Sequence, residues 1–339
     1  MSNRWAVLLL AHGTPNVLGE MTEYLSNVTR GRPLPQEVVE ELQHRYARIG
    51  LGETPGIVPP PLTKWTLAQG RLLELELRDV PVYVAMRNWH PFIADVVARM
   101  RADGITQIKA ICLAPQNSRT SVGLYRRALM NATAGLEVDF VPAWADHPLL
   151  ADAFAERLWP VWALACAQMG RRVPILFTAH SVPCRTIMTG EASIAGARPG
   201  TPMQDTPDPY PVEAKRTAAL VAARLSPVGL TERDWYFAFQ SQGVSGGPWI
   251  GPTVEDTLKA IRDEGHPGVV MQPIGFLCDH VEILYDIDIA FREMAEELGL
   301  RLWRAESLNS CHLLTQALAD MVRSAPLSWQ DEAITQQAV

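Results

Sequence analysis

Short apolar runs separated by longer amphipathic stretches set the rhythm of this chain. The runs fall at 5–11, 81–86, 106–114 and 138–142, and again at 173–179, 234–240, 268–274 and 300–304. Runs of this length, bounded by turn residues, predict buried parallel strands, because a strand covered on both faces carries no polar side. Between them, 92–102 and 254–262 place apolar residues at three- and four-residue steps, the spacing of one helix face. Gln36–Ile49 and Ser310–Arg323 also read as helices. Strand–helix alternation predicts an α/β fold with parallel sheets and right-handed crossovers.

The pattern is written twice. Ala11-His12-Gly13-Thr14-Pro15 follows the first apolar run, and Ala179-His180-Ser181-Val182-Pro183 follows the fifth. Tyr83-Val84-Ala85-Met86 matches Tyr236-Phe237-Ala238-Phe239, each trailed by a Trp and a Pro (Trp89 and Pro91, Trp249 and Pro252). The runs 108–115 and 269–273 both end in proline. A repeat this long means duplicated domains, since solenoid units are much shorter. Each copy places an imidazole just past the carboxyl end of its first strand, where open α/β sheets bind ligands.

This organisation gives an N-terminal unit over 1–148, a C-terminal unit over 149–308, a helix at 309–323 packing back on the first unit, and a tail at 324–339. The boundary falls where Trp144-Ala145-Asp146-His147-Pro148 breaks the pattern. Residues 13–60 interrupt the strand–helix rhythm directly after His12 and are expected to overhang the cleft as a lip. Residues 184–211, rich in Gly, Pro, Thr and Asp, read as a long non-helical segment, and loops of that length are usually functional or disordered.

Composition narrows the function classes. The 339 residues suit about two domains, and 47% hydrophobic with 20% charged residues is ordinary for a globular chain with real cores. A net charge of −7 argues against a nucleic-acid surface. No apolar run reaches the ~18 residues of a membrane span, and Met1 leads straight into a strand, so a secretory signal is not expected and a cytoplasmic location is. Cys112, Cys166, Cys184, Cys278 and Cys311 are scattered and form neither a disulfide framework nor a metal motif. No iron–sulfur cluster and no tightly bound cofactor are expected.

The chemistry concentrates at 275–288. Asp279, His280, Glu282, Asp286 and Asp288 crowd into a segment otherwise dominated by apolar residues. If the part from His280 onward is helical, Glu282 and Asp286 share a face, and like charges at that spacing repel. A cation or a proton-transfer partner accounts for such a pair; the alternative, strongest for Asp279 and Asp288, is a solvated acidic helix start. His180 lies at the same sheet edge, and a His–Glu pair in a cleft can hold and pass protons near neutral pH. Imidazole and carboxylate also suit ferrous iron. Neither a dinucleotide GxGxxG nor a phosphate-cradling GxxxxGK[ST] occurs, and Gly243–Gly247 reads only as a loop.

In combination, LLLAHGTP at 8–15, MRNWHPF at 86–92, LFTAHSVP at 176–183, DPYP at 208–211, FQSQ at 239–242, PWIGP at 248–252 and GFLCDHVEILYDID at 275–288 resemble the ferrochelatase family across nearly all of 5–323. The resemblance implies two similar Rossmann-like, chelatase-type domains, each a four-stranded parallel sheet flanked by helices, with the active-site cleft between them. It implies insertion of Fe²⁺ into a porphyrin, with both as substrates, by a monomeric enzyme without an integral membrane segment that makes transient contacts with neighbouring haem-pathway enzymes. His180 and Glu282 become the metal- and proton-handling pair, and Asp286 extends the polar path toward solvent.

The same resemblance bears on substrate choice. His12 stands where coproporphyrin-type relatives often carry tyrosine and protoporphyrin-type ones methionine; it is either an axial ligand of product haem or a cap on the turn before Gly13. Ala290 stands where some relatives continue the acidic row, which puts an outer metal site in doubt. Arg45, Tyr46 and Thr54 match positions that contact propionates in coproporphyrin enzymes, while Thr29 replaces a frequent arginine. Arg30 and the loop residues Ser118, Arg119 and Ser121, with Trp249, complete the expected porphyrin contacts. Arginine suits carboxylates, so coproporphyrin III is the expected substrate ahead of protoporphyrin IX. The rival readings are a cobalt or nickel chelatase of a sirohydrochlorin-like ring and a non-catalytic haem carrier, since a fold alone does not fix function.

Overall fold

The computed structural model describes residues 4–187, 207–243 and 248–324. The first half runs β1 (Trp5–Ala11), α1 (Met21–Thr29), α2 (Gln36–Arg48), α3 (Pro61–Leu77), β2 (Val82–Met86), α4 (Ile93–Ala102), β3 (Gln107–Cys112), α5 (Val122–Ala132) and β4 (Glu137–Val141). The second runs α6 (Pro148–Met169), β5 (Ile175–His180), α7 (Cys184–Ile187), α8 (Tyr210–Leu225), β6 (Trp235–Gln240), α9 (Val254–Asp263), β7 (Gly268–Pro273), α10 (Val281–Leu284), α11 (Arg292–Glu297), β8 (Arg301–Arg304) and α12 (His312–Arg323). Every apolar run read from the sequence is a strand.

Both sheets are four-stranded and parallel, ordered β2-β1-β3-β4 and β6-β5-β7-β8, so the duplication holds at the level of topology. It extends past the strand ends: Met86 N donates to Pro91 O at 2.7 Å, and Phe239 N donates to Pro252 O at 2.8 Å. Strand side chains alternate between faces. Ala6, Leu8 and Leu10 pack under α4 and α5 with Val97 and Met100, while Val7 and Leu9 face a larger core. That larger core joins the two halves, drawing on Phe177 and Ile175 of β5, Phe154 and Leu158 of α6, Val221 of α8 and Leu318 of α12. These side chains are fully or almost fully buried; truncating Leu9 to alanine costs about 2–5 kcal/mol.

Helix α12 lies on α3 and α6. Its end is tied to the first half by Arg323 to Glu76 at 3.1 Å and by Lys109 Nζ to Ser324 O at 3.1 Å. Lys109 also pairs with Asp139 at 3.0 Å, directly across β3 and β4. A cation at the carboxyl end of a helix is electrostatically favourable.

Helices α1 and α2 build a satellite core from Met21, Tyr24, Leu25, Val39 and Tyr46, closed by Trp89 and by Val281 of the second half. Arg45 Nη1 to Asp286 Oδ1 at 3.6 Å and Arg48 to Glu293 at 3.5 Å bridge the same gap. Two expectations need correction. The segment 184–211 is not wholly non-helical, since α7 occupies its start and α8 its end; residues 188–206 lie outside the described residues, as do 244–247 and the tail from 325. Glu282 and Asp286 do not share one regular α-helix: α10 is a single turn, followed by a π-helix at Asp286–Phe291. Pattern reading at 3.6 residues per turn has no signal for that change of pitch, which favours functional sites.

Candidate active site

The carboxyl ends of β5, β6 and β7 converge on one carboxylate. His180 ends β5 opposite Gln240, the last residue of β6. Its Nδ1–H donates to the Ser181 carbonyl, and Tyr210 Oη donates to the His180 carbonyl at 2.8 Å. Nε2 is thereby aimed at Glu282 Oε1, 3.3 Å away. Glu282 comes from the loop after β7. Gly275 lets that loop pass β5, since a Cβ there would meet Ala179 Cα at 2.9 Å.

A second imidazole completes the arrangement. His280 Nδ1–H donates to the Cys278 carbonyl at 3.1 Å, and Nε2 lies 3.4 Å from Glu282 Oε2. The Phe276 ring packs on His280 at 4.7 Å and edges toward His180 at 6.4 Å. Both oxygens of one carboxylate therefore face an imidazole nitrogen, and His180 (34%) and Glu282 (31%) each keep about a third of their side-chain surface exposed. Burial on its own lowers the His180 pKa, but Glu282 beside it raises the net value above the usual histidine range. Burial would raise Glu282, yet His180 and then His280 hold it well below the usual carboxylate range.

Asp286 accepts from Ser241 Oγ. Burial, partly offset by Ser241 and Arg45 and reinforced by Glu282, pushes its pKa up to about 6. Asp279 and Asp288, for which a solvated helix start was the alternative reading, both pair with Arg304.

His12 ends up within the electrostatic reach of Glu282. Burial, with Arg87 adding to it, lowers its pKa to about 4, so the ring is neutral. Asn88 Nδ2 donates to Nε2 at 2.9 Å, and Nδ1 lies 3.1 Å from the Gly13 carbonyl and 3.2 Å from Tyr24 Oη. The Nε2 lone pair already has a partner, so ligation of haem iron through it requires Asn88 to give way. Gly13 is required by its φ of +90° and by Trp89 N, 2.8 Å from where a Cβ would sit.

The expected porphyrin contacts divide. Arg30, the left-handed cap of α1, has its pKa lowered by partial burial and by Arg127 and Arg87 nearby. Arg87 lies 5.3 Å over the Tyr125 ring, and its buried Nε has no hydrogen-bond partner among the described residues. Three cations so placed suit an anionic ligand. Arg45 holds Asp286 and Glu41 and stacks over Tyr285. Tyr46 is buried against Thr14 in the lip core, Thr29 donates to backbone carbonyls, and Thr54 is exposed. Ser118 is buried beside Thr120, Arg119 N donates to Asp208, and Ser121 caps α5. Trp249 bridges to Pro183.

Sequence reasoning named His280 in the ionisable stretch and carried Gln240, Ser241, Arg87 and Asn88 inside quoted motifs, but gave none of the five a role in the site. The signal was available for the first three, because FQSQ and the ionisable 279–288 stretch both lie at strand ends. Among the described residues, no group of three or more His, Cys, Asp or Glu is arranged to hold a metal ion, and no helix is long and apolar enough to cross a membrane.

The family model described as Ferrochelatase matches residues 4–325. The chain belongs to the ferrochelatase family. Membership makes it a metal chelatase of the lyase class in haem biosynthesis, with porphyrin and iron as substrates. It is 58% identical to the ferrochelatase of Acidobacterium capsulatum over 96% of this chain and 95% of that protein. It is 31% identical to a coproporphyrin III ferrochelatase of Geobacillus thermodenitrificans over 93% of this chain and 94% of that one. The sirohydrochlorin chelatase SirB of Bacillus subtilis subspecies spizizenii, solved with cobalt, shares the fold at a TM-score of 0.51 and 9% identity, covering 94% of both chains.

Proposed function

We propose that this ferrochelatase inserts Fe²⁺ into coproporphyrin III, with His180 and Glu282 handling the pyrrole protons. The observation that carries the reading is the double contact on Glu282, with an imidazole Nε2 at each carboxylate oxygen. A free porphyrin loses two N–H protons for each divalent metal it takes up. Both His180 and His280 commit Nδ1–H to a carbonyl, so each Nε2 is the nitrogen left to receive a proton beside Glu282. The site thus has two positions for two protons.

Ring distortion tilts a pyrrole nitrogen out of plane, at a cost of a few kcal/mol that a closing cleft can supply. His180 Nε2 takes the proton, Glu282 stabilises the imidazolium, and Asp286 passes protons on toward Ser241 and solvent. The imidazole and carboxylate also suit the incoming ferrous ion. His12 faces the same space as a neutral ring.

The porphyrin choice rests on Arg30, Arg87 and Arg127. Coproporphyrin III carries four propionates and protoporphyrin IX two, and a charge-assisted bond from a guanidinium suits each added carboxylate. The Geobacillus relative named for coproporphyrin III supports the same choice. An anaerobic assay with Fe²⁺ and each porphyrin tests it. Coproporphyrin III is expected to give at least about tenfold higher kcat/KM, the value of one charge-assisted bond. Equal rates, or preference for protoporphyrin IX, overturn the choice. Haem binding without insertion into either ring would overturn the catalytic reading itself.

A further inference from the structure

The geometry points to Arg304 as a positioning residue for metal insertion, a guanidinium staple that pins both ends of the segment carrying His280, Glu282 and Asp286. The inference rests on the reading of Glu282 given above and deepens it.

Arg304 ends β8, the outer strand of the second sheet, and its side chain is only 13% exposed. Nε meets Asp288 Oδ1 at 2.6 Å and Nη2 meets Asp288 Oδ2 at 2.9 Å, a two-point clasp. Nη1 reaches Asp279 Oδ1 at 3.3 Å. Asp279 directly precedes His280, and Asp288 lies in the π-helix that begins with Asp286. One planar cation therefore fixes the chain before the second imidazole and after the proton-path carboxylate. Arginine can do this because its fork is rigid and always charged, whereas lysine offers a single point charge.

The Asp279 end is held by more than Arg304. Ser307 Oγ donates to Oδ1 at 2.8 Å and Asn309 Nδ2 to Oδ2 at 2.9 Å. Asn309 Oδ1 accepts from Asp279 N at 2.9 Å, closing a reciprocal pair. Asn309 adopts φ +48°, a left-handed conformation that asparagine tolerates better than most residues. Its carbonyl accepts from Gln69 Nε2 of α3 at 2.8 Å. The anchor of the catalytic segment thus reaches across to the first half, whose lip covers the other side of the cleft. The two acids also keep Arg304 charged against the effect of burial.

A buried ion cluster of this kind is not needed for stability alone, since well-packed apolar residues often serve as well. Its geometric outcome is that Glu282 cannot drift from His180. Misplacing a reacting group by about 1 Å can cost on the order of a hundredfold in rate.

The test compares Arg304→Gln, Arg304→Lys, Glu282→Gln and the Arg304→Gln/Glu282→Gln double variant in the full chain. Readouts are anaerobic Fe²⁺ insertion, porphyrin affinity from tryptophan fluorescence quenching, and Tm. Arg304→Gln is expected to lower kcat by about ten- to a hundredfold, with porphyrin affinity within about threefold of wild type. Arg304→Lys is expected to recover Tm but not kcat. In the Glu282→Gln background the Arg304 effect on kcat should vanish, as expected for residues acting through one another. Multiplicative effects in the double variant, or porphyrin affinity lost in step with kcat, would overturn the staple. Near-normal turnover by Glu282→Gln alone would instead sink the reading of the pair, and the staple with it. Should Arg304→Gln fail to fold, Asp288→Asn, which leaves the guanidinium on Asp279, carries the same comparison.

Discussion

Gln240 Nε2 donates to the main-chain carbonyl of Glu282 at 2.7 Å, while Gln240 Oε1 accepts from Thr178 Oγ1 at 2.6 Å. A buried strand residue thereby sets the height of the loop carrying Glu282 above the sheet. Gln240→Leu keeps the volume but strands the Thr178 hydroxyl and the Glu282 carbonyl. Each unpaired buried group costs about 1–3 kcal/mol, so urea denaturation should show a loss in that range. Insertion should fall by about tenfold or more as the loop relaxes.

Asp286 gives a prediction with a defined pH window. Its folded pKa, raised to about 6, exceeds the unfolded value of 3.8. The fold therefore favours the protonated acid. The cost is absent below about pH 4, grows as the pH rises through 4 to 6, and is fully present above that. Asp286→Asn should raise stability at pH 7.5 by about 1–3 kcal/mol while leaving stability at pH 4 nearly unchanged. Lost pairing with Arg45 sets the lower bound. Insertion should slow in the same variant, and denaturation curves at the two pH values check the sign.

The cations Arg30 and Arg87 should act through porphyrin carboxylates. Replacing either with alanine should raise KM for coproporphyrin III by about ten- to a hundredfold, the range for a hydrogen bond to a charged group. Protoporphyrin IX, with fewer carboxylates, should respond less. Steady-state kinetics on both rings separates this from a general loss of fold.

Asn88→Ala removes the donor that occupies His12 Nε2. With the lone pair released, ferrous product should be retained longer and its Soret band should shift toward that of a histidine-ligated haem. An unchanged spectrum would place His12 out of reach of the iron.

Much of the fold was legible because its cause is local. Apolar runs such as 5–11 and 268–274 can be little else than buried strands, and the echo of Ala11-His12 in Ala179-His180 exposed the duplication. The candidate site was legible where a chemistry-bearing side chain closes a strand, as His180 does. What escaped depends on partners far apart in sequence. The ties of Asp279 and Asp288 to Arg304, and of Arg45 to Asp286, leave no local sign in the sequence. The π-helix after Tyr285 escaped for another reason: the sequence pattern there suits a regular helix equally well.

The account turns on His180 facing Glu282, and the most direct measurement is anaerobic Fe²⁺ insertion into coproporphyrin III by His180→Ala, with porphyrin binding followed in parallel by fluorescence quenching. The expected result is a loss of turnover of about two to four orders of magnitude, the span of acid–base catalysis, with porphyrin affinity within about threefold of wild type. Near-normal turnover in a variant that binds porphyrin normally would contradict it.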